Sequence, residues 1–382
     1  MSANTLTGLI PIIYRALNRV SRELCGGVQS IYKNTSVQGA AYGQTIRYPI
    51  VPAFGTPADV TPGAYSPDAT GRTIAYGDMA IEAVKQVSFP FTGEEIGSLG
   101  ENYMTVVEDS FAEAMRTHVN SIESYILTKA YKKASRAVGT AGTTPFASNT
   151  DTLSEARKIL VDNGAPTTSL RAVIDTAAGD KMRKLDILKK ANESGDNMYR
   201  TGVLGNLYGI EIAESAGVPL HTAGTGGTSY AVNLVAGYAI GSLSIALDGG
   251  SGTILAGDIF TNSQSGRDVN KYVVATALSG GSLTLNKPGI RAAWVNDDTT
   301  AVGAAYRANL VFDANAIHIV TRPPLLPPGG DMATDSVVVS DPISGLTFRV
   351  ATYKQYHQQM IEVSVAYGGD VVKPEFVATI LG

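Results

Sequence analysis

Cysteine is almost absent from this chain of 382 residues: Cys25 is the only one, so no intramolecular disulfide can form, and the composition fits a reducing compartment. Charge is scarce as well. Asp, Glu, Lys and Arg together make up 17% of the residues, low for a freely soluble monomer of this size, and the formal net charge is −4. No basic run stands out beyond "AYKKASR", which argues against general nucleic-acid affinity. The four histidines, His118, His221, His318 and His357, show no metal-ligand spacing, and without a cysteine pair a zinc site is not expected. No stretch approaches the ~20 apolar residues needed to cross a bilayer. The start, "MSANTLTGLIPIIYRALNRVSREL", has a short apolar run broken by Pro11 with its arginines after it. A signal peptide places charge first and a longer apolar core second, so the expectation is a protein that folds in the cytosol.

What is present is small, apolar and turn-rich. Hydrophobic residues make up 44%, with 41 glycines and 17 prolines, which predicts much β structure spread over two or three domains. A low-charge surface of small residues suits a protein packed against copies of itself. The opening segment, to about Val37, reads as an amphipathic helix and an extended tail. Ile13, Leu17, Val20 and Leu24 form an apolar stripe, and Arg15, Arg19 and Arg22 form a basic ridge on another face. Gly26 and Gly27 end that helix, and such an arm can dock on its own body or on a partner chain.

Two strand-like runs follow, "GQTIRYPIV" and "MAIEAVKQVSFPF", the second with Val87, Phe89 and Phe91 on one face. Between them lies a stiff segment with Pro52, Pro57, Pro62 and Pro67, too long for a hairpin turn and too polar for a core. The pattern predicts a long two-stranded arm that needs something to lie on. Next, residues 101 to 136 predict a long helix. Met104, Val107, Phe111, Met115, Val119, Ile122, Ile126 and Ala130 supply its stripe, with acids early and Lys129, Lys132, Lys133 and Arg136 late. At 1.5 Å per residue it would run on the order of 50 Å.

From residue 151 the pattern turns mixed α/β. A capping box at Thr152 and Glu155 is expected to open a helix that closes at Gly164 and Pro166. A buried strand "LRAVID" follows, then a helix over about 177–192, a glycine turn and the strand "YGIEIAES". Residues 220–305 read as short strands between glycine-rich turns with no helix, a small all-β unit set into the α/β body. Strand-like runs resume with "RANLVFDANAIHIVTRPP" and continue, past a Pro-rich linker, to the C-terminus.

No catalytic constellation emerges. The turn with Gly202, Gly205 and Gly209 has a polar run before it and a strand after it, the reverse of the order that a dinucleotide-binding loop requires. There is no phosphate-loop motif and no nucleophile elbow. The adjacent pairs Glu94–Glu95 and Asp297–Asp298 read as solvated loop carboxylates, His118 as a helix-face residue, and Cys25 as a small buried or interfacial one. No cofactor is expected and the chain does not read as an enzyme.

The order of elements resembles the major capsid (coat) proteins of tailed double-stranded DNA phages. "TGVLGNLYGIEIAESAGVP" is similar to that family's axial-domain turn and strand, "ANLVFDANAIHIVTRPP" to the strand after it, and "GLTFRVATYKQYHQQMIEVSVAYGGDVVKPEFVATIL" to its C-terminal strands. "AGDIFT", in the glycine-rich stretch after "SAGVP", resembles the insertion domain of podophage-type coat proteins. The resemblance implies an α+β, Hong Kong-type phage capsid fold. Its parts would be an N-terminal arm at 1–38 and an extended loop at 39–93. A peripheral domain at 94–150 would carry the spine helix, with C-terminal strands from about 335–370. The axial domain would take 151–219 and 306–334, with 371–382 unassigned, and 220–305 would be the inserted β domain.

The same resemblance implies a shell of hexamers and pentamers around a genome, assembled in a host bacterial cytoplasm and ending in the virion. Its implied partners are the chain itself, a separate scaffolding protein (the chain starts directly at the arm), a portal protein, a decoration protein, and packaged DNA without sequence-specific contact. No membrane is implied. Contacts with a neighbour or scaffold are expected at Arg15, Arg19, Arg22, Pro57, Pro62, Tyr65, Pro67 and Arg72. The loop tip from Pro52 to Arg72 has no lysine, so the covalent cross-link of some relatives is not expected, although Lys85 lies further along the arm. An encapsulin-like nanocompartment and a nucleotide-using α/β enzyme are the alternatives.

Overall fold

The computed structural model describes residues 25–36, 38–50, 74–185, 204–342 and 344–382. The chain enters through the short helix α1 (Gly26–Ser30) and strand β1 (Tyr32–Thr35), then β2 (Thr45–Ile50), β3 (Ala75–Ala80) and β4 (Ala83–Thr92). Thr92 and Glu95 form a reciprocal capping box that starts α2 (Gly93–Leu99). After one 3-10 turn comes the long helix α3 (Tyr103–Lys132), followed by β5 (Arg136–Gly139).

α3 buries the stripe read from the sequence, from Val107 through Ala130. Met104 departs from it and is exposed. Tyr103 takes the inward position at that end, its ring edge-on to Phe91 at 5.3 Å.

The α/β region runs α4 (Asp151–Asp162), β6 (Leu170–Asp175), α5 (Thr176–Lys184), β7 (Asn206–Leu207) and β8 (Ile210–Ser215). The capping box expected at Thr152 and Glu155 does not form. The helix begins two residues earlier, so Thr152 lies inside its first turn, and Thr150 at the cap turns its hydroxyl to Tyr208 at 2.8 Å. α5 ends sooner than expected, because Leu185 is already extended after a last turn holding Lys181, Arg183 and Lys184.

Short strands follow: β9 (Leu220–His221), β10 (Ala231–Val232), β11 (Ser244–Asp248), β12 (Ile259–Asn262), β13 (Lys271–Ser279), β14 (Ser282–Leu285) and β15 (Thr300–Val302). The chain then closes with β16 (Tyr306–Asp313), β17 (Ile317–Arg322), β18 (Asp335–Ser340), β19 (Thr347–Gln355), β20 (Gln358–Val371) and β21 (Val377–Leu381).

Two large sheets organise these strands. One runs β1-β17-β20-β19-β18, with β4 added on β20, and packs under α3. The other runs β10-β11-β14-β13-β5-β21-β16-β6-β8-β7, with β12 and β15 joined beside β13 and β9 on β16. The sequence pattern places β17 with the α/β body, yet its ladder is in the helix-backed sheet, His318 opposite Asp370 and Val320 opposite Gly368. β21, unassigned on sequence, lies between β16 and β5 in the second sheet.

Residues 220–305 contain no helix and bury a core of their own around Trp294, Tyr272, Phe260 and Ile290. Their entry and exit strands pair with each other, His221 opposite Tyr306. The region is also fused to the body by a ladder, Tyr272 opposite Arg136 and Lys271 opposite Ala137.

Candidate assembly surface

The two-stranded arm has different partners from those the alternation suggested. β2 pairs with β3, from Thr45 opposite Ala80 to Ile50 opposite Ala75. The run taken as its second leg divides at Ile81–Glu82. Everything from Ala83 to Thr92 pairs with β20 in the helix-backed sheet, Phe89 opposite Ile361 and Val87 opposite Val363. Val87, Phe89 and Phe91 do face inward, Phe89 meeting Phe111 of α3 edge-on at 5.3 Å. Alternation identifies their face, while the partner strand, residues 358–367, lies far along the chain.

Among the described residues the hairpin is anchored at its Ala40 and Met79–Ile81 end. Met79, Ile81 and Ala40 are buried with Val320 and Ala366 of the sheet, and Ala40 exchanges backbone hydrogen bonds with the linker, its N–H to the Pro323 carbonyl at 2.9 Å and its carbonyl to Leu325 N–H at 3.1 Å. Away from that root, burial ends. Ile50, Ile74 and Tyr76 are 39%, 56% and 59% exposed, and Tyr42 is exposed beside the root. Arg47 lies 4.4 Å over the Tyr76 ring and 3.2 Å from Asp78, so the hairpin's own polar contacts run between its two strands. Tyr48 is half-buried toward the root, where burial, then Asp370 and Asp78, push its phenol up.

All eight residues expected to make contacts, Arg15, Arg19, Arg22, Pro57, Pro62, Tyr65, Pro67 and Arg72, lie outside the described residues. Lys85 belongs to β4 and donates to Ser121 of α3 at 2.8 Å, which places it on the sheet and not on the hairpin.

The glycine turn closes a hairpin. Leu207 pairs with Ile210 across Tyr208 and Gly209, and both of those residues have positive φ, +53° and +74°. Two such residues define the tight turn whose twist suits β-hairpins, and glycine at the second position adopts that conformation without strain.

The histidines and adjacent acids have structural surroundings. His118 is buried, its Nε2 2.9 Å from the Val363 carbonyl, and burial lowers its pKa. His221 lies between Asp258 at 2.8 Å and the Tyr131 hydroxyl at 3.2 Å, joining the end of α3 to the β-only region. Asp298, expected as a solvated loop carboxylate, is instead buried. It accepts from Asn262 Nδ2 at 2.8 Å and Val295 N–H at 2.9 Å, because loops without a ladder need acceptors for their amides. Asp268 and Asp258 act likewise, and no motif signalled any of the three. Among the described residues no group of three or more His, Cys, Asp or Glu could hold a metal ion, and no helix is long and apolar enough to cross a membrane.

No family model and no curated protein matches this chain. Among solved structures it is similar to the capsid structure of the cyanophage P-SCSP1u, with 13% identity and a TM-score of 0.49 over 91% of this chain and 86% of that one. It is similar to a protein of Mycobacterium phage Che8, with 14% identity and a TM-score of 0.45 over 95% and 90%. It is also similar to a virus-like particle from Pyrococcus furiosus, with 9% identity and a TM-score of 0.43 over 98% of both chains.

Proposed function

We propose that this chain is a shell subunit, the major capsid protein of a tailed double-stranded DNA phage, which assembles into hexamers and pentamers of an icosahedral particle. The observation that carries this reading is the β2–β3 hairpin, rooted on the sheet at one end and exposing Ile50, Ile74 and Tyr76 beyond it. An isolated two-stranded ribbon is marginal in water, and exposed apolar surface on such a ribbon is covered in an assembly by a neighbouring copy. The long helix packed on a sheet supplies the stiff element against which such an arm can pull. The N-terminal arm, scaffold, portal and decoration partners, non-specific packaging of DNA and assembly in a host cytoplasm belong to this proposal through the sequence resemblance.

Electron microscopy of the expressed protein, with and without a co-expressed candidate scaffold and over a range of salt, tests it. Closed shells or capsomers are expected, and scaffold dependence separates a genome-enclosing shell from a cargo-enclosing one that closes alone. Small non-assembling species under every condition overturn the reading.

A further inference from the structure

Glu123 lies on α3 and is 1% exposed, yet among the described residues no cation stands against it. Both of its oxygens are used. Oε1 accepts the Gly27 N–H at 3.0 Å and the Ser215 hydroxyl, while Oε2 accepts the Val28 N–H at 3.0 Å. Gly27 and Gly217 leave room for this approach, since a Cβ at either would stand 3.1 Å or 3.2 Å from the Glu123 side chain. One carboxylate therefore joins three parts of the molecule: the long helix, the end of β8, and the segment through which the chain enters the body.

The charged groups on the surrounding elements are engaged elsewhere. On β8, Glu211 pairs with Arg171 of β6 and Glu214 with Arg183 of α5. Arg171 also reaches the Gln29 carbonyl at 3.5 Å, and Asp175 caps α5. On α3 itself, His118 faces Val363 and Lys129 pairs with Glu82. α1 has no ionisable side chain, and the Cys25 thiol meets Asn120 at 3.3 Å. A buried carboxylate held only by neutral donors keeps a desolvation cost in its charged form.

We propose that Glu123 is a latch on the N-terminal segment, holding residues 25–31 on the body most firmly when its carboxyl is protonated and loosening them as it ionises. In the protonated form the carboxyl donates to Ser215 Oγ, which turns from donor to acceptor, while lone pairs remain for the Gly27 and Val28 amides. When the segment opens, the carboxylate regains water. Burial pushes this carboxyl above the usual range, against the pull of Ser215, Val28 and Gly27. The docked segment thus binds the proton more tightly than the opened one. Docking is full below the ordinary Glu value, about pH 4.3. It weakens by up to about tenfold per pH unit until the docked pKa is passed. The device is independent of what the chain assembles into.

Hydrogen exchange of the full-length chain, read as protection factors of residues 25–31 between about pH 4 and 8, tests it. Protection is expected to fall as pH rises in the wild type and to be flat with pH in Glu123→Gln. Flat wild-type protection, protection that rises with pH, or the same slope in Glu123→Gln overturns the latch. Should Glu123→Gln fail to fold, Ser215→Ala serves. Loss of that partner moves the loosening window along the pH axis, and an unmoved window overturns the proposal.

Discussion

The helix-backed sheet and the β-only region between β9 and β15 bury themselves in different ways. The first has a large apolar core, with Phe111, Ile122 and Ile126 of α3 set on Phe348, Val363 and Ile361 of the sheet. The second has a small apolar core laced with buried carboxylates. Asp258 accepts the amides of Gly224 at 3.0 Å and Leu255 at 2.6 Å, and Asp268 accepts from the Trp294 indole at 3.1 Å and from the Tyr272 hydroxyl. Burial and then Asp268 push the Tyr272 phenol far above its usual range. A helix satisfies its own backbone, so the surface packed beneath it is mostly apolar, with His118 a polar exception on the Val363 carbonyl. Short strands joined by turns leave amides without partners, and an aspartate satisfies two or three of them at once.

The comparison can be broken in order of effect. Phe111→Ala should cost about 3–5 kcal/mol of unfolding free energy, because the edge-on contact with Phe89 and a large buried volume are lost together. Equilibrium urea unfolding measures it, and a loss under about 1 kcal/mol would mean that the helix-backed core is not the stabilising one. Asp268→Ala should follow, at on the order of 3 kcal/mol, since the buried donors of Tyr272 and Trp294 lose their acceptor. Its exchange protection should fall within residues 230–302 before it falls in α3. Uniform loss across both regions would show that they unfold as one unit.

Acid should act on the helix-backed half. Burial lowers the His118 pKa in the folded state, so the unfolded chain binds the proton more readily. The stability due to the neutral ring is present above the ordinary His value, about 6.5, and is lost as pH falls below it. His118→Gln should flatten that part of the stability–pH curve, and an unchanged curve refutes the assignment. The smallest effect on folding belongs to the hairpin. Ile74→Ser with Tyr76→Ser should change stability by less than about 0.5 kcal/mol per site, because both side chains are exposed. If the hairpin is an assembly element, the same pair should sharply reduce particle yield by sedimentation. Unchanged yield removes it from the interface.

The long helix was legible because its stripe repeats at three and four residues over many turns, and a periodicity of that kind depends on no distant partner. The β4 face was legible for the same reason, but its pairing was not. Alternation marks which side of a strand is apolar, and it carries no address for the strand opposite, here residues 358–367. The buried carboxylates were illegible because an aspartate beside glycines reads alike whether it is solvated or collecting amides.

By itself the sequence determined the local elements and their apolar faces: α3, the buried strands and the absence of helix from 220 to 305. These follow from short-range sterics and hydrophobic period. Only the tertiary structure decided that Glu123 would meet the amides of residues 27 and 28, nearly a hundred positions away, and that Asp298 would be enclosed. Burial and hydrogen-bond partnership are properties of the packed chain, since each depends on which remote surface arrives to exclude the water.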